Sequence, residues 1–318
     1  MQLTLVSDPH IGLTRKAGAT AQSMKAYSEF QMAVLHSIEA EELLVTGDLF
    51  SSYDAGPEAV LAAWQWLSRY SRVSVLQGNH DASKNKEKMS SLDFLGHIMP
   101  SLRIIREPVI EGEIAYVPHL TNQEIFDAAI EKVAETATVL VTHANYANFF
   151  AAEREHSLNL TPEQSALLEL VLSGHEHNKS LRQNVHMLGS PYPCSIAEIS
   201  EKFIHTWDGE NAPEPFRTWS SENCIEIDWH NLTPSSAQFI RVVGEATADE
   251  AALVLQEFSE FRRKSDAFMI TNSVKIGSLE IGELEEAAGE LDVFDPVAAL
   301  MSVLSEDHKK QIEEVLGR

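Results

Sequence analysis

The sequence predicts an α/β protein in which β-sheets are flanked by helices. Short apolar runs of strand-like composition alternate with longer amphipathic stretches from the N-terminus onward, as such a sandwich requires. Of the 318 residues, 44% are hydrophobic, which is enough to bury a substantial core. The length fits two domains, or one large α/β domain with an appendage.

Strand-like runs recur through the first half of the chain, at residues 3–7, 43–46, 73–77, 114–117, 138–142 and 168–173. Helical segments are predicted at 23–40 and 57–70. After Gly174, further runs at 185–188, 203–207, 224–229 and 238–243 predict a second, more antiparallel sheet. The predicted order is therefore a repeated alternation of strands and helices, followed by strands in succession.

A separate unit is predicted from about residue 233, with a strand at 238–243, a helix at 249–264 and a strand at 267–275. An acidic stretch at 280–295 precedes two short helical segments with apolar faces. The predicted domains are therefore 1–232, 233–280 and 281–318.

Composition excludes several classes of protein. The chain has 24 Lys+Arg against 48 Asp+Glu, a net charge of −24, which disfavours unassisted, non-specific binding to nucleic acid. Cys194 and Cys224 are too few for a disulfide framework. No apolar run is long enough to cross a membrane and the N-terminus lacks the pattern of a secretion signal. We therefore expect no membrane association and a cytoplasmic location, which is the host cytoplasm if the chain is phage-encoded.

Clusters of polar side chains follow five of the predicted strands. The clusters are Ser7-Asp8-Pro9-His10, Gly47-Asp48-Leu49-Phe50, Gly78-Asn79-His80-Asp81, Thr142-His143-Ala144-Asn145 and Gly174-His175-Glu176-His177. One such cluster would most simply be a turn, but five in succession point to a site. Ligands bind at the carboxyl ends of parallel strands, so the clusters are expected to converge there.

Seven side chains in these clusters are candidate metal ligands: Asp8, His10, Asp48, Asn79, His143, His175 and His177. Imidazole nitrogens with carboxylate and amide oxygens suit Mn, Fe or Zn, and the set is richer in nitrogen than Mg or Ca prefers. Seven ligands exceed one tetrahedral site and suit two ions about 3.5–4 Å apart, bridged by a carboxylate.

The motifs D-x-H, GD, GNHD, an isolated H and GHxH, in this order over residues 8–177, resemble those of the calcineurin-type metallophosphoesterase superfamily. The longer match is to its SbcD-like branch of DNA repair nucleases, which includes the phage recombination endonuclease subunit. The matching segments are SDPHIG, TGDLFSS with PEA, LQGNHD, YVPHL, GHEHN and HMLGSPYP. The resemblance implies a four-layer sandwich of two mixed β-sheets flanked by helices, with a small α+β C-terminal capping domain.

The resemblance also implies roles for individual residues. One metal would be held by Asp8, His10 and His177, the other by Asn79, His143 and His175, with Asp48 bridging. The two divalent ions are expected to be Mn²⁺, with Fe, Zn or Mg as alternatives, and a hydroxide bridging them would attack phosphorus. His80 would be the catalytic acid, because histidine exchanges protons near neutral pH, and Asp81 would either orient His80 or close the turn.

The sequence departs from the family after GDLF, where His or Asp is common and Ser51 stands here. Support for the catalytic histidine is therefore expected to be missing or to come from Asp54. Lysines 84, 86 and 88, with Arg15 and Lys16, would either contact phosphates or be solvated loop charges.

The predicted function is that of a dinuclear-metal-dependent DNA nuclease subunit, a 3′–5′ exonuclease and/or endonuclease of a recombination or repair complex. The partners implied are DNA, an SbcC-type ABC ATPase bound through the C-terminal helices, and a second copy of the chain bound through helices near 57–70 and 84–98. The alternative is a stand-alone phosphatase or cyclic-nucleotide phosphodiesterase. A third interpretation, an inactive scaffold, is disfavoured because all seven ligands and His80 are present.

Overall fold

Two six-stranded sheets carry most of the predicted strands in a computed structural model of the chain. The structure describes residues 2–13, 21–83, 88–147, 157–194, 200–233, 235, 237–276 and 279–280. They divide into a larger compact unit, formed by residues 2–13 and 26–221, and a smaller one that contains residues 222–276. The predicted segments at 281–318, including the partner-binding helices, lie outside the described residues.

Helices and strands alternate through most of the larger unit, and strands predominate after α5. The helices are α1 (Ala21–His36), α2 (Pro57–Leu67), α3 (Ser91–Ile98), α4 (Gln123–Ala134), α5 (Pro162–Ser165) and α6 (Ala251–Lys264). The strands are β1 (Leu3–Val6), β2 (Glu42–Val45), β3 (Arg72–Leu76), β4 (Leu102–Ile105), β5 (Val109–Glu111), β6 (Ile114–Val117), β7 (Val139–His143), β8 (Asn145–Tyr146), β9 (Asn159–Leu160), β10 (Leu170–Gly174), β11 (Ser180–Arg182), β12 (Val185–Met187), β13 (Lys202–Trp207), β14 (Glu214–Trp219), β15 (Cys224–Asp228), β16 (Phe239–Ala246), β17 (Met269–Ile276) and β18 (Leu279–Glu280).

Both large sheets are mixed, with a parallel centre. The first has the order β14-β13-β1-β2-β3-β4, in which β1 to β4 are parallel and β13 and β14 are antiparallel. The second has the order β11-β12-β10-β7-β6-β5, in which only the two edge strands are antiparallel. The prediction of two mixed sheets is confirmed. The expectation that the second sheet begins after Gly174 is wrong, because strands β6, β7 and β10 already belong to it and β13 returns to the first sheet.

Apolar side chains between and outside the sheets produce four layers. Leu5 and Leu44 of the first sheet pack with Val141 and Leu172 of the second in one buried cluster. Helices α1 to α3 cover the outer face of the first sheet, and α4 covers that of the second. Each fully buried Leu or Val contributes about 1.5–3 kcal/mol relative to an exposed one. This core fixes the strand ends from which the candidate ligands emerge.

The smaller unit has a sheet of its own. Strands β15, β16 and β17 are parallel and β18 is antiparallel. Val254, Phe258 and Phe261 of α6 pack against this sheet. The strand–helix–strand order agrees with the sequence pattern, but the sheet already begins with β15, which precedes the predicted boundary at residue 233. In the described part of the chain, no helix combines the length and apolar character needed to cross a membrane.

His205 is a buried histidine in the first sheet, away from the candidate ligands in sequence. Its Nε2 lies 2.9 Å from the Leu188 carbonyl oxygen, and its Nδ1 has no partner among the described residues. Burial lowers the pKa of His205 to about 4, although the Leu188 carbonyl acts in the opposite direction. Between about pH 6.5 and pH 4, His205 therefore binds a proton in the unfolded chain but stays neutral in the folded chain.

We predict that this histidine destabilises the protein in mild acid. Stability from the neutral, buried ring is complete above pH 6.5 and is lost as pH falls, by about 2 kcal/mol between pH 7.5 and pH 5. Urea denaturation at the two pH values should show that His205→Gln loses less stability than wild type by this amount. An equal loss in both proteins would contradict the assignment.

Candidate metal centre

The candidate ligands follow parallel strands of both sheets. Asp8 and His10 follow β1, Asp48 follows β2, and Asn79 follows β3. His143 is the last residue of β7, and His175 directly follows β10. The carboxyl ends of five parallel strands, three from one sheet and two from the other, thus bring the predicted ligands together as expected.

The backbone at several of these positions is strained. Asp8, His10, Asp48 and His175 have positive φ angles of 52°, 42°, 50° and 83°, which non-glycine residues rarely adopt. Backbone bonds between loops maintain them: Asp8 N–H donates to Gly47 O at 3.2 Å and His10 N–H to Asp48 O at 3.0 Å. Strain of this kind is characteristic of functional sites, where the surrounding structure enforces it.

Two glycines allow the ligand loops to approach one another. A Cβ at Gly47 would lie 2.0 Å from Nδ1 of His143, and a Cβ at Gly78 would lie 2.1 Å from Oδ1 of Asp48. No side chain can occupy either position without displacing a candidate ligand. Glycine therefore stands immediately before Asp48 and before Asn79 because any side chain there would collide with a neighbouring candidate ligand.

Asp8, His10 and His177 form the first group of donors. Nε2 of His10 lies 2.9 Å from Nε2 of His177. Oδ1 of Asp8 lies 3.9 Å from the first of these nitrogens and 3.8 Å from the second. The group is the set that the family resemblance assigns to one metal.

Asn79, His143 and His175 form the second group. Oδ1 of Asn79 lies 3.1 Å from Nε2 of His143 and 3.0 Å from Nδ1 of His175. Oδ2 of Asp48 lies 3.3 Å from Nε2 of His143 and 3.7 Å from Nε2 of His10. Asp48 therefore contacts both groups, as a bridging ligand must.

Further hydrogen bonds fix which ring nitrogen faces the centre. Nδ1 of His143 donates to the Thr46 carbonyl at 2.9 Å, which leaves Nε2 toward Asp48. Nε2 of His175 contacts Ser157 Oγ at 3.0 Å, which leaves Nδ1 toward Asn79. Such bonds to the second nitrogen are the usual way in which proteins orient histidine ligands. Thr46 begins the matching segment TGDLFSS but has no role assigned from the sequence, and Ser157 lies outside the matching segments.

Burial and mutual attraction set the charges of the candidate ligands. Burial lowers the pKa of His10 to about 4, against the attraction of Asp48, and burial with the nearby His143 lowers that of His175 to about 4. Both rings are therefore neutral at pH 7 with a lone pair available. Burial opposes charge on His143 and Asp48, but their mutual attraction raises the pKa of His143 to about 10 and holds that of Asp48 well below its ordinary value.

The donor set fits a pair of divalent cations. Four imidazoles, two carboxylates and one amide oxygen converge, and three-residue subsets of them lie within 4.8 Å of one another. Pairs of lone-pair atoms face each other, such as the two Nε2 atoms of His10 and His177, an arrangement that cations between them would stabilise. The absence of thiolates from this donor set excludes an iron–sulfur cluster.

His80 lies at the open side of the centre. Its side chain is exposed, and its ring stands edge-on to that of His10 with centroids 5.0 Å apart. Its backbone N–H donates to Asp48 Oδ1 at 2.9 Å, and its Nδ1 lies 2.9 Å from the carbonyl oxygen of Ser51. The backbone of Ser51 thus supplies a partner for the ring, whereas the carboxylate of Asp54 accepts a hydrogen bond from Ser52 Oγ.

Asp81 closes the turn rather than facing the donors. Its carboxylate accepts the N–H groups of Gly78 at 3.0 Å, Leu49 at 3.2 Å and Phe50 at 3.0 Å. It thereby ties the loop after β3 to the loop after β2. Burial and the charge of Asp48 raise the pKa of Asp81 to about 6.

The other candidates lie outside the ligand groups. Glu176 turns away to pair with Arg182 and to accept the Tyr146 N–H at 3.2 Å. Lys88 is exposed. The remaining basic candidates, Lys84, Lys86, Arg15 and Lys16, lie outside the described residues.

A four-layer α/β sandwich with a histidine- and carboxylate-lined dimetal site defines a class of metal-dependent hydrolases. The family model for calcineurin-like phosphoesterases matches residues 1–179. The chain belongs to this family, and it is therefore a metal-dependent phosphoester hydrolase by class.

The chain is similar to several solved structures at low identity. The protein TT1561 of Thermus thermophilus is 13% identical with a TM-score of 0.40, covering 69% of this chain and 99% of that one. The phosphopantetheinyl hydrolase PptH from Mycobacterium tuberculosis is 14% identical with a TM-score of 0.38, covering 60% and 90%. A metallophosphoesterase from Sphaerobacter thermophilus is 12% identical with a TM-score of 0.30, covering 68% and 88%. No curated protein matches the sequence significantly.

We predict that Gly78→Ala disrupts metal binding. The new Cβ would meet Asp48 Oδ1 at 2.1 Å, and displacing this carboxylate should weaken Mn²⁺ binding by about tenfold or more. Titration calorimetry with Mn²⁺ measures the effect. Gly56→Ala is the matched control, because a Cβ there meets nothing within 4 Å; equal affinities in the two variants would contradict the steric role.

Proposed function

We propose that this chain is the nuclease subunit of a DNA recombination or repair complex, cleaving phosphodiester bonds as a 3′–5′ exonuclease and/or endonuclease. The observation that carries the proposal is the position of His80, an exposed imidazole beside His10 and Asp48 with its Nδ1 held by the Ser51 carbonyl. The choice of DNA among phosphodiesters is supported by the motifs shared with SbcD-like nucleases.

The residues of the chain divide the work of hydrolysis. Asp8, His10 and His177 would hold one cation, Asn79, His143 and His175 the other, and Asp48 both. When bound, the cations supply an activated water and offset the negative charge of the phosphate. Because Nδ1 of His80 donates to Ser51 O, Nε2 is the nitrogen free to carry a proton to the departing oxygen.

Access to the centre is one-sided. The side chains of Asp8 and His143 are 0% exposed, whereas that of His177 is 21% exposed and His80 is exposed. A long polyanion such as DNA can therefore approach from the side of His80 and His177. Single-stranded ends and duplex backbones both present a phosphodiester to such an open rim.

The charge of −24 requires help in holding DNA, because non-specific affinity comes from Lys and Arg that displace counterions. We propose that an SbcC-type ATPase supplies it, bound through residues 281–318. The same charge favours the second candidate, a stand-alone phosphatase or cyclic-nucleotide phosphodiesterase, because a small ester needs no extended basic surface.

We predict Mn²⁺-dependent release of nucleotides from 3′- or 5′-labelled duplex and single-stranded DNA. Replacing the acid in His80→Ala should lower kcat by about 10²–10⁴-fold while two equivalents of Mn²⁺ still bind. His36→Ala is the control, because it removes an exposed histidine at the end of α1.

A small bis-phosphodiester distinguishes the two candidates in the same assay. Its hydrolysis with DNA left intact, even after the ATPase is added, would replace the nuclease by the phosphodiesterase. Equal rates for wild type and His80→Ala would remove His80 from the mechanism.

The homodimer that the resemblance implies is also part of the proposal. Leu61 and Trp64 on α2 are 53% and 39% exposed, and Phe94 and Ile98 on α3 are 48% and 45% exposed. The two helices pack against each other, so these large apolar side chains are carried by neighbouring elements. Exposed apolar side chains grouped in this way are typical of protein interfaces.

We predict that the double variant Trp64→Glu/Phe94→Glu is a monomer under conditions in which the wild type is a dimer. Burying a carboxylate in the interface is unfavourable unless it finds a partner. Light scattering after size-exclusion chromatography measures the mass. Leu167→Glu, at a position 56% exposed outside these helices, should remain dimeric; a monomeric wild type would contradict the proposed interface.

A further inference from the structure

Lys202 places a buried ammonium group behind one of the candidate ligand turns. It is the first residue of β13 and is only 1% exposed. Within the described ranges it is the one lysine or arginine in the buried class. Lysine is almost never fully buried unless its charge is paired or hydrogen-bonded, so its contacts indicate why it is there.

The Lys202 ammonium donates hydrogen bonds to the turn that contains His177. Nζ lies 2.8 Å from the carbonyl oxygen of His177 and 3.0 Å from Oδ1 of Asn178. Ser190 N–H donates to the same carbonyl at 3.1 Å, and Ser200 Oγ donates to the same Asn178 oxygen at 2.6 Å. These four hydrogen bonds therefore fix the His177 carbonyl and the Asn178 side chain.

His177 carries both this anchor and a candidate ligand atom. Its ring Nε2 lies 2.9 Å from that of His10 and 3.8 Å from Asp8 Oδ1, while its carbonyl is held by Lys202. The anchor also crosses between the sheets, because His177 follows β10 of the second sheet and β13 belongs to the first. Since β13 runs antiparallel to β1, Lys202 lies near the end of β1 from which Asp8 and His10 emerge.

Attraction of the metal does not explain a lysine at this position. A fixed positive charge repels a cation, so an electrostatic role alone would weaken metal binding. Stability does not explain it either, because removing an ammonium from water is unfavourable and an apolar residue of similar length avoids that loss. The contacts of Lys202 point instead to the directional hydrogen bonds that Nζ donates to the His177 carbonyl and to Asn178 Oδ1.

We propose that Lys202 is a positioning residue for the candidate metal pair, holding the His177 turn so that the imidazole points at the donors Asp8 and His10. This role rests on the proposed metal-dependent function. Bonds that orient ligands from behind are commonly needed for full metal affinity, and here a lysine supplies one to the backbone of the ligand rather than to its ring.

The test is Mn²⁺ binding by the full chain in wild type and in Lys202→Met. Wild type should bind two equivalents, and the variant should bind one of them at least about tenfold more weakly. The Mn²⁺-induced rise in Tm should shrink correspondingly, because ligand stabilisation follows affinity, while the Tm without metal stays close to wild type. Lys202→Arg, which keeps the charge and the donor, should bind Mn²⁺ more tightly than Lys202→Met.

Lys179→Met is the matched control. This variant removes a positive charge directly after Asn178. Lys179 is exposed, and its Nζ packs over the Phe203 ring at 4.8 Å. It should bind both equivalents as wild type does. If Lys202→Met does not fold, Lys202→Gln takes its place; its shorter side chain does not place a donor where Nζ lies, so Mn²⁺ binding weaker than that of wild type is again expected.

Three results would overturn the proposal. Unchanged Mn²⁺ binding by Lys202→Met would show that the hydrogen bond does not position His177, and tighter binding would show that repulsion by the charge outweighs it. An equal fall in Tm with and without metal would show a purely structural lysine. A wild-type chain that binds no pair of Mn²⁺ ions would overturn the dinuclear function together with it, whereas the first two results leave that function intact.

Discussion

The contact between His143 and Asp48 joins the two sheets at the edge where the candidate ligands meet. His143 ends β7 of one sheet and Asp48 follows β2 of the other, and their side chains approach to 3.3 Å with both almost fully buried. The His143 ring is fixed by the Thr46 carbonyl, just before Gly47. Any residue other than glycine at 47 would collide with this ring, so the sequence around Asp48 is constrained by a histidine nearly one hundred residues away.

This arrangement opposes the stability of the protein without metal. Carboxylates and imidazoles are removed from water, and several of their residues adopt left-handed backbone angles that non-glycine residues avoid. Apolar contacts between the sheets, such as those among Leu5, Leu44 and Leu172, hold the strand ends in place against that opposition. Cations that bind the folded chain but not the unfolded chain would stabilise the folded chain further by mass action. The core thus preorganises a site that would not assemble by itself.

The sequence predicts which side chains converge at the site because their signal is local. Each lies directly after an apolar strand, and a residue type such as His or Asp at that place is readable from a short segment. The partner of His80 is not readable, because it is the backbone carbonyl of Ser51 and every residue has one. Lys202 is equally hidden, since a lysine beginning a strand is usually exposed. The sheet to which β13 or β15 belongs depends on pairing with distant strands, and no local pattern encodes that.

The buried centre and its open side set different aspects of function. Asp8, Asp48 and His143 are buried and fixed by the fold, and under the proposed function they would hold the cations that act on the phosphoester. His80 is exposed and His177 is partly exposed, so these two side chains are accessible from the open side. The chain carries twice as many acidic as basic residues, 48 against 24, so its net charge opposes the binding of a polyanion. Under the proposed function, selection of DNA over a small ester would depend on a second source of positive charge. Substrate choice would then be a property of the proposed assembly, while the chemistry would be a property of this chain.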